Sequence, residues 1–202
     1  MQIKHLKPIL DFGHGGLIGG IYQTPGKRSP KWELGILYEG MFNRWFGWRL
    51  MEELDRKGIP YYCVSPELKD ITLIERVNRA NKIYKKDKTV YYFSIHANAG
   101  GGSGSELYTF YGESFSDKLA ENFIDYIETN FKETKFRKDF VDNDSDKEAG
   151  FFVLKHTMMP AMLLETAFMD NKTDYKKLWN QGWLEDYVNV VADWIEYIYK
   201  KS

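Results

Sequence analysis

Short apolar runs near residues 7–12, 60–65, 89–96, 105–111 and 160–165 alternate with stretches whose apolar residues recur at helical spacing. No other feature constrains the chain as strongly, because strands that alternate with helices predict an α/β fold. Between 38 and 56, Phe42, Phe46, Leu50 and Leu54 recur every fourth residue with Trp45 beside them; Glu39 starts this helix and "KGIP" ends it. The segment 115–131 stacks Leu119, Phe123 and Ile127 on one face, and 183–198 carries Leu184, Tyr187, Val188, Val191, Trp194, Ile195 and Ile198. Both read as core-facing helices. Two stretches, 21–35 and the charged, aliphatic-poor 132–150, read as loops. With 202 residues the chain can bury roughly 70% of its unfolded surface in one core, so one domain over residues 1–202 is expected.

Charge excludes some functions. A formal net charge of −1 provides no general field for nucleic acid or anionic lipid. The opening "MQIKHLKPIL" has no apolar core of signal-peptide length, and no stretch reaches the roughly 18 apolar residues of a membrane span. These features suggest a chain without signal peptide or membrane span, made in the cytoplasm. Cys63, the single cysteine, has no internal disulfide partner and reads as a buried, inert thiol within "YYCV".

The chemistry concentrates where strands break into glycines. "ILDFGHGG" (9–16) and "SIHANAGGG" (94–102) have the same form, an apolar run followed by a histidine and then glycines. The carboxyl ends of strands in an open sheet face a common crevice, so His14 and His96 can converge there although they are far apart in sequence. If the second strand persists, Ser94, His96 and Asn98 point the same way. Two imidazoles at one crevice suggest a metal, and zinc in hydrolases commonly adds a carboxylate while keeping one position open. Glu33, Glu39, Glu106 and Glu165 all start or end regular elements, and physics alone does not choose among them. Glu39 is equally a first-turn acid favourable to the helix dipole. Glu165 closes the apolar run "PAMLLE", where a carboxylate is costly to desolvate; that invites a catalytic reading, with an exposed strand-end acid as the plain alternative.

Four separated blocks together resemble the zinc-dependent N-acetylmuramoyl-L-alanine amidases, the cell-wall amidase type that includes many phage endolysins. "LDFGHGG" is similar to that family's Asp-Pro-Gly-His-Gly-Gly segment, "YEGMFNRWFGWRLMEEL" to its Glu-then-Asn helix, "SIHANA" to its second histidine block and "PAMLLETAFMDN" to its closing Glu-Thr-x-Phe block. "LIERVNRAN" (73–81) is similar to its Arg-x-x-x-Ala-Asn helix. Phe12 replaces the usual proline and "SPELKD" stands where Thr-Arg is common; neither departure removes a candidate ligand.

The resemblance implies His14, Glu39 and His96 as Zn2+ ligands and Glu165 as the catalytic carboxylate. It implies hydrolysis of the amide between N-acetylmuramic acid and L-alanine of the peptidoglycan stem peptide. The fold expected is a single α/β domain whose mixed, mostly parallel sheet is flanked by helices on both faces. Asp11 and Asn98 are candidates for orienting the imidazoles, whereas His5 and His156 are not expected to be ligands. The rival readings are a zinc peptidase cutting within the stem peptide and a non-catalytic peptidoglycan-binding module. The expected setting is a compact, monomeric endolysin that acts on cell-wall or periplasmic peptidoglycan after release by a holin-type helper, with no nucleic-acid partner.

Overall fold

The computed structural model describes residues 5–140 and 144–201. In chain order its strands are β1 (Lys7–Phe12), β2 (Leu17–Ile18), β3 (Ile21–Tyr22), β4 (Tyr62–Cys63), β5 (Val90–Asn98), β6 (Glu106–Thr109), β7 (Lys147–Glu148) and β8 (Ala161–Phe168). Its helices are α1 (Glu39–Lys57), α2 (Leu73–Lys86), α3 (Phe115–Asn130), α4 (Phe152–His156), α5 (Lys172–Trp179) and α6 (Gln181–Lys201). Six strands form one sheet in the order β4-β1-β5-β8-β6-β7, and β2 and β3 form a separate hairpin. Every pairing in the large sheet is parallel except β6 with β8, so the sheet is mixed and mostly parallel, as expected.

Strand periodicity divides the core into two layers. Leu10 and Phe12 of β1, Tyr91, Phe93 and Ile95 of β5, and Met162 and Leu164 of β8 pack with α1, α3 and α6. Their alternates Ile9, Val90, Tyr92, Ala161 and Leu163 pack with α2 and α4 on the opposite face. The helices thus bury the stripes their sequences carry; Phe46, Leu50 and Leu54 of α1 are completely buried. Gly47 lets α1 approach the sheet, since a Cβ there would lie 2.0 Å from the Phe12 ring.

The sequence reading needs correction at three places. The run ending at Glu165 continues to Phe168, so Glu165 lies within β8; the alternation of Leu163 with Glu165 hid this, because an acid among aliphatics reads as a strand end. The 21–35 segment begins with β3, and 132–150 contains the edge strand β7. A two-residue strand leaves no periodic signal. Residues 141–143 of the second segment lie outside the described residues.

Candidate active site

β1 and β5 run parallel, Asp11 opposite Ser94 and Phe12 opposite Ile95. Both strands therefore deliver the residue that follows to the same edge of the sheet. His14 sits just past β1 with φ of 62°, a left-handed conformation uncommon for a residue with a Cβ. Three anchors hold that turn. Asn43 of α1 donates to the Gly13 carbonyl at 2.9 Å, Arg76 of α2 donates to the Phe12 carbonyl at 2.6 Å, and Arg76 also donates to the His14 carbonyl at 3.3 Å. The glycines around His14 are there for close approach. A Cβ on Gly13 would come within 2.1 Å of the His96 ring, and one on Gly40 would come within 1.9 Å of the Gly15 carbonyl oxygen.

The result is convergence. His14 Nε2 lies 3.2 Å from Glu39 Oε1 and His96 Nδ1 lies 2.9 Å from the same oxygen. The two rings meet edge to face with centroids 5.1 Å apart. Glu39 is almost fully buried, whereas the histidine side chains are 19% and 15% exposed, so their accessible edges face the cavity beside them. Burial works to raise the Glu39 pKa, but the hydrogen bonds and charges of His14 and His96 outweigh it and hold the group at about 2. Two imidazole nitrogens and a carboxylate oxygen, mutually within 4.8 Å, fit a zinc-class ion and leave room for a water.

Glu165 stands next to this trio. It lies in register with His96 on β5 and with Glu106 on β6, so His96, Glu165 and Glu106 form one row across three strands on the α2 and α4 face. Glu165 lines a cavity of about 640 Å³ together with His14, His96, Lys27, Asp70 and Arg76. Its Oε2 is cut off from solvent and has no hydrogen-bond partner among the described residues. Burial first, then the like charges of Glu39 and Glu106 against the opposing Lys27, push its pKa well above the usual carboxylate range.

The other candidates lie elsewhere. Asp11 accepts from Ser65, Ser94 and Arg76 at 2.6–2.8 Å, and Asn98 donates to Glu106 at 2.6 Å. Neither is hydrogen-bonded to an imidazole among the described residues; the partners of Asp11 lie on β5, on α2 and just past β4, and Asn98 donates to the start of β6. Glu106 is engaged with Asn98, Tyr108 and Arg137, and Glu33 is paired with Lys176. His5 contacts Tyr199 and His156 stacks on Phe152 with centroids 4.3 Å apart. Cys63 is a half-buried free thiol that burial pushes up to about 12.

Sequence reasoning gave Arg76 no role, although it is the arginine of the Arg-x-x-x-Ala-Asn resemblance, and it missed Lys27. Arg76 had a signal, since it shares the buried face of α2 with Val77 and Ala80. Lys27 had none, because only the path of the 21–35 segment brings it to the cavity.

The Amidase_3 family model, described as N-acetylmuramoyl-L-alanine amidase, matches residues 9–197. The chain belongs to this amidase family. It is 34% identical over 120 residues to the N-acetylmuramoyl-L-alanine amidase CwlM of Bacillus licheniformis, a match covering 57% of this chain and 41% of that protein. It is 32% identical over 115 residues to the endolysin of Bacillus phage SPP1, covering 56% and 40% respectively. The chain thus spans about two fifths of these relatives. Among solved structures it resembles Cwp6 from Clostridium difficile (TM-score 0.74, 26% identity, covering 98% of this chain and 30% of that one). The N-acetylmuramoyl-L-alanine amidase from Clostridium difficile 630 (TM-score 0.76, 21% identity, covering 97% of each chain) shares the amidase fold. Family membership favours neither the stem-peptide peptidase nor the non-catalytic binding module. Among the described residues no helix is long and apolar enough to cross a membrane.

Proposed function

We propose that this chain is a zinc-dependent peptidoglycan amidase that hydrolyses the amide between the lactyl group of N-acetylmuramic acid and the L-alanine of the stem peptide. The observation that carries the reading is the meeting of His14 and His96 on one Glu39 oxygen, beside a buried, unpartnered Glu165 oxygen, in a chain of the amidase family. His14, Glu39 and His96 would hold the zinc. When bound, zinc lowers the pKa of a coordinated water from about 16 to about 7 and polarises the scissile carbonyl.

The chain's own groups do the rest. Glu165 takes the proton from the attacking water and returns it to the departing alanine nitrogen, an acid-base task that contributes about 10²–10⁴ in rate. Its isolation from other hydrogen-bond donors leaves that oxygen available. Lys27, across the cavity, works against the burial and the like charges that raise the Glu165 pKa, and so toward the ionised form that accepts a proton. Arg76 and Asn43 fix the His14 turn through the backbone, so the imidazole is in place before substrate arrives.

Mass spectrometry of a purified peptidoglycan digest tests the reading. The expected products are stem peptides with a free L-alanine amino terminus and glycan strands without new reducing ends. Peptides beginning at the second or third stem residue would indicate a peptidase, and new reducing ends without free peptides a glycosidase. Activity should disappear on exhaustive chelation and return with zinc.

A further inference from the structure

Lys27 stands at the active-site cavity with its charge uncommitted. It closes the turn "TPGK" (24–27), in which proline at the second place and glycine at the third suit a tight turn with positive φ at the glycine. Gly26 has φ of 94°, and the Lys27 N–H donates back to the Thr24 carbonyl at 3.2 Å. The Lys27 carbonyl in turn accepts from the Glu39 N–H at 3.0 Å and from the Tyr22 hydroxyl at 2.8 Å. That same hydroxyl accepts from the Gly40 N–H at 2.9 Å. The backbone of the lysine is thereby tied to the first turn of α1, where Glu39 meets the two histidines.

Apart from the histidines, Lys27 and Arg76 are the cationic residues lining the cavity. Arg76 is committed to Asp11 at 2.7 Å and to Asp70 at 3.2 Å, and Asp70 also accepts from Thr24 at 2.6 Å. Lys27 is exposed and has no ion pair among the described residues, yet its charge is felt at Glu165. It is the cation left to meet an anion that enters beside the reacting groups.

We infer that Lys27 is a substrate-binding residue that pairs with the free α-carboxylate of the second stem-peptide residue, so that the enzyme selects the acid over its amide. The inference rests on the amidase reading, in which Glu165 returns a proton to the alanine nitrogen and the stem peptide therefore leads away from the Glu165 side of the cavity. When the second residue is a γ-linked glutamate, its α-carboxylate stands free on a Cα about 3.8 Å from that of the alanine. The carboxyl end of the peptide lies further along the chain. A carboxylate entering here meets the like charges of Glu165 and Glu106, which an ammonium offsets. A carboxamide carries no charge for the lysine to hold, and its NH₂ group finds no acceptor on Nζ.

The test uses two soluble N-acetylmuramoyl peptides that differ only in the α-carboxyl of the second residue, free in one and amidated in the other. The zinc-loaded full chain should hydrolyse the acid with kcat/KM about tenfold higher, between the contributions of an exposed ion pair and of a charge-assisted hydrogen bond. In Lys27→Met that ratio should fall to about one, and Lys27→Arg should keep most of it. The ratio is the informative quantity, because a change in the basicity of Glu165 slows both substrates alike and cancels. Calorimetry on zinc-loaded Glu165→Gln reads binding without turnover, and the same preference should appear in Kd and vanish when Lys27→Met is added. Equal Kd values for acid and amide in Glu165→Gln overturn the inference, as does a preference that survives Lys27→Met. Equal kcat/KM values with cleavage at the lactyl–alanine bond overturn it while the amidase reading stands. Cleavage at another bond, or none, overturns the amidase reading, and the Kd ratio then decides the role of Lys27 by itself.

Discussion

Replacing Arg76 by methionine should destabilise the protein by about 3–5 kcal/mol at neutral pH, the cost of removing one partner from a buried ion pair. Arg76 is 2% exposed and Asp11 1%, and the guanidinium donates to Asp11 Oδ1 at 2.7 Å and to the Phe12 carbonyl at 2.6 Å. Burial alone would raise the Asp11 pKa, but Arg76, with help from Ser65, holds it at about 2 against an ordinary 3.8. That depression contributes about 2 kcal/mol of stability. The sign follows from the lowered folded-state pKa: the contribution is complete above about pH 4 and is lost as pH falls toward 2. In Arg76→Met the largest effect opposing burial is gone and only weaker ones, such as the Ser65 hydrogen bond, remain, so Asp11 is drawn toward its neutral form in the fold and the variant loses stability as pH rises. The gap between the two proteins should therefore be narrower at pH 3 than at pH 7. Urea unfolding at both pH values measures it, and at neutral pH the thermal midpoint should fall by about 6–20 °C for a domain of this size. Adding Asp11→Asn should recover more than half of the loss, because the stranded charge is gone. A neutral-pH loss below about 1 kcal/mol, or an equal loss at pH 3 and pH 7, would refute the reasoning.

Glu165→Gln should retain zinc while turnover falls by about 10²–10⁴, whereas Glu39→Gln should weaken zinc binding; metal content and turnover measured on both variants separate the roles. Gly13→Ala should reduce zinc affinity by about 10–100-fold, since the new Cβ would fall 2.1 Å from His96 Cε1 and the ring must move; competition with a chromophoric chelator reads the change. His14→Ala and His96→Ala should lose zinc in the same assay, while His5→Ala and His156→Ala should retain it, their rings lying against Tyr199 and Phe152.

Local pattern carried what depends on periodicity and chain direction. The four-residue recurrence in α1 places Phe46, Leu50 and Leu54 in the core because a helix repeats every 3.6 residues. The alternation of strands with helices predicts a mostly parallel sheet, and strands running the same way deliver His14 and His96 to one edge. Resemblance, not physics, singled out Glu39 and Glu165 from four acids; in the fold Glu39 meets both histidines while Glu33 is paired with Lys176 at the surface.

Tertiary structure decided what depends on register and approach. Strand register put Glu165 beside His96 and Glu106, and no run of neighbours along the chain encodes which residue of one strand faces which of another. The left-handed His14 turn is held by Arg76 from a helix 62 residues away. Asp117, in the first turn of α3, comes near Asp144 and Asp146, which stand just before β7, only through the tertiary fold. Sequence fixes spacing along the backbone, but contacts between elements far apart in the chain arise only when burying their apolar faces sets the distance between them.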